Sequence, residues 1–268
     1  MQTNRSIVLV VLAGIWLGGF TAGLQAQEPA KVVSQPASVL PNLNQLTDAE
    51  KDAGWKLLFD GQTTTGWRNF GKETISQGWR VLDGALCRVD KTAGDIITVG
   101  QFDNFILELD YKVPAHANSG IMCRVSEDEK RAPFSGIEFQ LLDNTDPKGD
   151  SQKAGWAYAL YQPPLDPQTG RPQDATKPVG EWNHVKLVYR GAHVEYWMNG
   201  VKYLEFEIGS ADFNQRLAAS KFATWPKFAK NNTGHIALQG DHGDVCFANI
   251  KLLPFVLPVE ETSNEKMQ

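Results

Sequence analysis

Glu138 and Gln140 stand two apart in Ile137-Glu138-Phe139-Gln140-Leu141, and in a strand residues i and i+2 share a face. Ile137, Phe139 and Leu141 then face a core, so Glu138 and Gln140 face solvent or a site. A carboxylate held on a rigid strand is a candidate general acid or base. A second such group lies in Asp241-His242-Gly243-Asp244, a tight turn in which two carboxylates flank an imidazole and can orient one of its nitrogens. The same alternation sets Arg124 and Met122 outward against Ile121, Cys123 and Val125. It also sets Glu108 and Asp110 against Phe105, Leu107 and Leu109, and Gln239 against Ile236 and Leu238. One polar sheet face would thus offer carboxylates, amides and a guanidinium. A solvated outer face with cross-strand ion pairs has the same pattern, and a turn histidine is also an ordinary surface residue.

Other chemistries lack their residues. His116, His184, His193 and His235 show no metal-ligand spacing, and there is no H-E-x-x-H or Cys pair, although an oxygen-ligated divalent cation stays open. No cofactor is indicated. The chain has no G-x-S-x-G elbow, no phosphate loop and no dinucleotide fingerprint opening a helix. Of eight Trp, Trp67, Trp156, Trp182 and Trp225 sit near loops, where an indole can stack on a sugar ring instead of filling a core.

Short strands must position these groups. The segments 55–59, 78–82, 85–89, 95–99, 104–113, 119–125, 136–142, 184–190, 193–198, 201–208, 235–239 and 245–252 are β-branched or aromatic and bounded by Gly, Pro, Asn or Asp. Asn199-Gly200 between two alternating runs predicts a type I′ hairpin. Thr47-Asp48-Ala49-Glu50 is a capping box opening a short helix, and 212–230 holds room for another. About a dozen strands without intervening helices imply two antiparallel sheets packed face to face. Residues 162–180, with Pro163, Pro164, Pro167, Pro172 and Pro178, form a stiff loop flanked by Tyr158, Tyr161 and Trp182, read here as a site wall.

With 42% hydrophobic and 21% charged residues the chain is globular, and a net charge of −5 argues against nucleic acid or an anionic membrane surface as partner. Arg5 followed by the apolar run 7–20 reads as a signal peptide over 1–26, with an uncleaved anchor as the alternative; either places the body in the periplasm or outside the cell. Residues 27–46 read as a spacer, 47–255 as the domain and 256–268 as a tail. Cys87, Cys123 and Cys246 are an odd count; Cys123 and Cys246 lie in strand-like runs and could pair, but buried free thiols are the expectation.

Gly54-Trp55-Lys56-Leu57-Leu58-Phe59-Asp60-Gly61, Gly94-Asp95-Ile96-Ile97-Thr98, Asn118-Ser119-Gly120-Ile121 and Gly136-Ile137-Glu138-Phe139-Gln140-Leu141-Leu142-Asp143-Asn144 follow one another in order. Gly180-Glu181-Trp182-Asn183, Asn199-Gly200-Val201-Lys202, Gly234-His235-Ile236-Ala237-Leu238-Gln239, Asp241-His242-Gly243 and Asn249-Ile250 come after them. Together they resemble the 3-keto-disaccharide hydrolase family over about residues 47–255. The resemblance implies an all-β, concanavalin A-like jelly-roll sandwich, exported, that cleaves glycosides oxidised at C3. It implies an oxidised di- or oligosaccharide or glycoside as substrate. On its motifs, His242, oriented by Asp241 or Asp244, and Glu138 are expected as the acid/base pair. Asn118, Arg124 and Gln140 would stabilise an oxyanion, and Tyr158, Trp182 and Gln239 would contact substrate. The chain carries Gly240 between Gln239 and Asp241, where the family pattern runs Leu-Gln-Asp-His-Gly. A laminarinase-like retaining glycosidase, which needs two carboxylates about 5–5.5 Å apart, and a non-catalytic lectin-like module are the rival readings.

Overall fold

The twelve expected segments become strands, and a thirteenth forms at 67–69, among the described residues of the computed structural model, which are 43–146, 152–240 and 242–257. The expected signal, the spacer up to residue 42, Asp241 and the tail from 258 lie outside them. In chain order the strands are β1 (Lys56–Leu57), β2 (Trp67–Asn69), β3 (Trp79–Leu82), β4 (Ala85–Arg88), β5 (Ile96–Thr98), β6 (Phe105–Lys112), β7 (Asn118–Val125), β8 (Ile137–Leu142), β9 (Asn183–Arg190), β10 (His193–Met198), β11 (Val201–Glu207), β12 (His235–Leu238) and β13 (Val245–Pro254). Helix α1 (Asp48–Asp52) has the expected capping box, Thr47 and Glu50 exchanging side-chain to backbone bonds. Helix α2 (Ala211–Ala219), capped by Ser210, falls in the second expected place.

Two antiparallel sheets result. The larger runs β11-β10-β9-β6-β13-β4-β3, with β1 also on β13, and the smaller runs β2-β5-β12-β7-β8. Asn199 and Gly200, at φ 48° and 82°, make the β10–β11 hairpin. The sandwich core lies between the sheets. Phe105, Leu107, Leu109 and Tyr111 of β6 and Phe247 and Leu252 of β13 contribute from one side, and Ile121, Phe139, Leu141, Ile236 and Leu238 from the other. Fully burying such a side chain stabilises by about 1.5–3 kcal/mol, so the two sheets are held as one body. Glu108 and Asp110 face away from it on the larger sheet, where Lys251 lies 3.2 Å from Glu108 and His184 2.8 Å from Asp110. Those carboxylates have cross-strand partners on the larger sheet, in register with Lys251 of β13 and His184 of β9.

Two expectations are corrected. Alternation in β7 breaks at Arg124, which takes φ 55°; three steps of β7, from Met122 to Val125, face two of β12, from Ala237 to His235. This β-bulge turns Val125 to the outer face beside Met122. It turns the Arg124 side chain away from that face, to donate to the carbonyls of Asp103 (2.9 and 2.7 Å) and Gly191 (2.7 Å). The bulge presses against Gly234, where a Cβ would overlap the Arg124 carbonyl. The cysteines also differ: Cys87 and Cys246, register partners on β4 and β13, are disulfide-bonded, and Cys123 is the free thiol. Cys123 and Cys246 lie in different sheets, Cys123 inside the sandwich and Cys246 on the outer side of its strand. Burial pushes the Cys123 thiol up to about 12, so it is an inert core residue.

Candidate active site

The outer face of the smaller sheet carries a cleft of about 310 Å³. Its floor is polar: Asn118 opens β7, Glu138 and Gln140 share a face of β8, and Gln239 follows β12. Glu138 is 8% exposed and leans over Gly120, where an added Cβ would overlap its carboxylate. Glycine at that position is what allows a carboxylate to lie flat on the sheet. Gln140 Nε2 donates to Gln152 Oε1 at 3.3 Å, and its own Oε1 accepts from the Leu141 N–H. Gln239, 6% exposed, has a buried Oε1 with no partner. A buried acceptor left unpaired costs about 1–3 kcal/mol, and Gln239 lines the cleft, so a hydroxyl arriving there would satisfy it.

His242 reaches the same cleft on the turn that joins β12 to β13. Glycine makes the crossing possible. A Cβ on Gly243 would lie 2.7 Å from the Asn118 nitrogen, and one on Gly240 would overlap the Gly94 carbonyl and approach Trp79 to 2.8 Å. The Gly240 N–H donates to Asp95 Oδ1 (3.0 Å), and its carbonyl accepts from Arg88 Nε (3.0 Å). Arg88 Nη1 also donates to Asp244 Oδ1 at 2.6 Å. One buried guanidinium therefore ties the two ends of the turn, and Asp244 is committed to Arg88.

The walls come from segments without sequence periodicity. Tyr158, whose N–H donates to the Glu138 carbonyl (3.0 Å), accepts through its hydroxyl from Lys221 Nζ at 2.9 Å. Facing it, Phe134 and Trp225 lie 4.5 Å apart between ring centroids and Phe222 and Phe228 4.1 Å. Arg131 completes the rim. The cleft thus joins acid/base and amide groups on its floor to an aromatic wall, a lining suited to a ring with hydroxyls on its edge and C–H groups on its face.

Of the residues expected at a site, Asn118, Glu138, Gln140, Tyr158, Trp225, Gln239 and His242 line this cleft. Asp241 lies outside the described residues. Arg124 is diverted by the bulge. Trp182 packs on the outer face of the larger sheet with Ala85, Cys87 and Ala248, under Lys112 at 4.8 Å. Trp67 is core, its indole N–H bonded to the Leu58 carbonyl. No residue of the proline-rich loop lines the cleft; Gln162, Pro163, Pro164 and Leu165 wall a neighbouring pocket. Gln152, Arg131, Phe134, Lys221, Phe222 and Phe228 were not expected, and no spacing in the sequence marks them. Among the described residues the grouping of His and carboxylates close enough to share an ion is His193, Glu195 and Glu205, on the larger sheet, where both His193 nitrogens already meet carboxylates.

Comparison with known proteins identifies the family and the fold. The family described as 3-keto-alpha-glucoside-1,2-lyase-like domain matches residues 54–253. A 3-keto-disaccharide hydrolase of Bacteroides thetaiotaomicron is 32% identical over 252 residues, covering 82% of this chain and 83% of that protein. Two crystal structures from Parabacteroides distasonis, described provisionally as glycosyl hydrolases, have the same fold. One is 32% identical with a TM-score of 0.70, covering 80% of this chain and 100% of its own; the other is 26% identical with a TM-score of 0.56, covering 75% and 99%. Among the described residues no helix is long and apolar enough to cross a membrane.

Proposed function

From the premise that this chain belongs to the 3-keto-alpha-glucoside-1,2-lyase-like family, and is a carbohydrate-active hydrolase, we propose that it cleaves glycosides already oxidised at C3 of the sugar. A C3 carbonyl acidifies the proton on C2. A base removes that proton, the C2–H electron pair enters the enolate, and its collapse forms a C1=C2 bond as the C1–O bond breaks and the leaving oxygen takes a proton. Water adding across C1=C2 then gives the free 3-keto-sugar. Glu138 and His242 are the acid/base pair of this scheme, and Asn118, Gln140 and Gln239 are the amides that meet the enolate oxygen.

The observation that carries this reading is the convergence of Glu138 and His242, from a strand and a turn 104 residues apart in sequence, with three amides in one cleft. The retaining-glycosidase alternative is disfavoured by the same lining: among the described residues Glu138 is its carboxylate, and Gln140 occupies the place two residues on. Glu138→Gln and His242→Asn are each expected to lower kcat by about 10²–10⁴-fold while sugar binding persists. Deuterium at C2 should slow turnover or exchange with solvent. A C2 label retained through turnover at an unchanged rate removes the elimination step. The proposal includes export, on the charge and apolar run at residues 5–20; cell fractionation tests it.

A further inference from the structure

The cleft has an order across the sheet. The smaller sheet sets β12, β7 and β8 side by side, and residues 155–158 continue it beyond β8: Gln140 N–H donates to the Trp156 carbonyl (3.0 Å) and Tyr158 N–H to the Glu138 carbonyl (3.0 Å). Residues opposite one another on neighbouring strands point to the same side. Ala157 bridges to Phe139 and shares the core with it, so Tyr158 stands on the outer face beside Glu138. Asn118 and Gln239 belong to β7 and the end of β12, and the His242 turn passes against Asn118. Glu138 thus has these amides on one side and Tyr158 on the other, about one strand spacing, ~4.8 Å, away.

That order matches the order of atoms in the elimination. C2 lies between C1 and C3 in the sugar ring, so with the base at C2 and the C3 oxygen on the amides, C1 and its leaving oxygen point towards Tyr158. Tyr158 has what a proton donor needs there. Its hydroxyl oxygen accepts from Lys221 Nζ at 2.9 Å, and among the described residues its own proton is donated to none. The Lys221 ammonium also lies 4.1 Å from the centre of the Tyr158 ring, so it stabilises the charge left when the proton goes. Lys221 is exposed, but the turn that carries it is fixed. Ser220 caps the Phe222 N–H, and Phe222 is buried and stacked on Phe228 at 4.1 Å.

We propose that Tyr158 is a catalytic residue, giving the proton that the leaving oxygen takes, and that Lys221 is its positioning residue. The proposal rests on the reading of the cleft as the place of elimination. The C2 proton goes to the pair Glu138 and His242. The C1–O bond breaks with its electrons on oxygen, which takes the Tyr158 proton, and a tyrosinate is left against the Lys221 ammonium. When water adds to C1, the tyrosinate takes one of its protons, and the pair returns the proton it held to C2.

The test compares methyl 3-keto-glucoside, whose leaving oxygen needs a proton, with para-nitrophenyl 3-keto-glucoside, whose leaving oxygen departs as a stable anion. Tyr158→Phe keeps the ring and removes the donor. In the full-length protein it should lower kcat on the methyl glycoside by about 10²–10⁴-fold and on the nitrophenyl glycoside by less than about tenfold. Lys221→Met should shift that ratio in the same direction, and Lys221→Arg, which keeps a cation, should hold the parent's ratio. In deuterated water Tyr158→Phe should still exchange the C2 hydrogen of the methyl glycoside, because the enolate forms but does not expel methoxide. Equal losses on the two glycosides by variants that melt as the parent does, no loss on the methyl glycoside, or Lys221→Met with the parent's ratio would each overturn the inference. Failure of the elimination reading appears separately, in the parent protein, as a C2 hydrogen retained through cleavage.

Discussion

Substituting Gly120 by alanine isolates the position of the Glu138 carboxylate from its chemistry. Gly120 lies opposite Gln140 within β7, and its φ is not positive, so alanine meets no backbone strain there. The new methyl would sit 2.7 Å from Glu138 Cγ and 2.9 Å from Cδ, with the carboxylate oxygen closer still, where ordinary contact begins near 3.4 Å. The stem must retreat by about 0.7 Å and the oxygen by about 1 Å. A displacement of that size at a reacting group costs about 10²-fold in kcat, roughly 2.7 kcal/mol of transition-state stabilisation. The overpacking itself costs about 1–3 kcal/mol of stability. The assay is steady-state cleavage of a 3-keto-glucoside by Gly120→Ala, Glu138→Gln and the double variant, with melting curves on each. Because Gly120 acts through Glu138, the double variant should be no slower than Glu138→Gln alone. Gly100→Ala, whose Cβ would make an ordinary 3.4 Å contact with Phe102, should be near neutral. A Gly120→Ala protein with wild-type kcat, or one whose loss multiplies fully with that of Glu138→Gln, would refute the reasoning.

Three further outcomes follow from other contacts. Arg88→Met removes two charge-assisted bonds from the His242 turn; a loss of about 2–3 kcal/mol in denaturant unfolding and at least about a tenfold drop in kcat are expected, and an unchanged kcat would separate the clamp from catalysis. Cys87→Ser with Cys246→Ser opens a bridge between residues 159 apart in sequence; it should lower stability by about 3–5 kcal/mol, whereas Cys123 should resist thiol reagents until the protein unfolds. The Arg68 guanidinium, bonded at 2.7 and 2.5 Å, holds the Glu127 carboxyl at about 2, below its ordinary 4.5. Its stabilisation is therefore complete above about 4.5 and fades as pH falls towards 2; Glu127→Gln should flatten that part of the stability profile by about 1–2 kcal/mol after solvent screening.

Strands were legible because a half-buried strand must alternate, and the β10–β11 turn because two successive positive φ values call for Asn-Gly. Glu138 and Gln140 were legible for the same reason, being polar residues on an otherwise apolar strand. Arg124 was misplaced because a single residue in the left-handed region shifts the alternation after it, and nothing in Cys123-Arg124-Val125 announces the bulge. The disulfide was not legible because it depends on which strands pair, and β4 meets β13 across most of the chain. Trp182 follows the same logic: its motif lies in order with the others, yet the strand beside it belongs to the larger sheet. Lys221, Phe222 and Phe134 come from turns whose sequence has no period, so only the fold brings them over the cleft.

The most direct test of the account is product analysis by mass spectrometry after incubating the purified protein with a 3-keto-glucoside and, in parallel, with the unoxidised glucoside. The account predicts cleavage of the keto form alone, with a product one water lighter than the 3-keto-sugar where elimination is trapped before hydration. Equal cleavage of both glucosides, or binding of the keto form without cleavage, would contradict it.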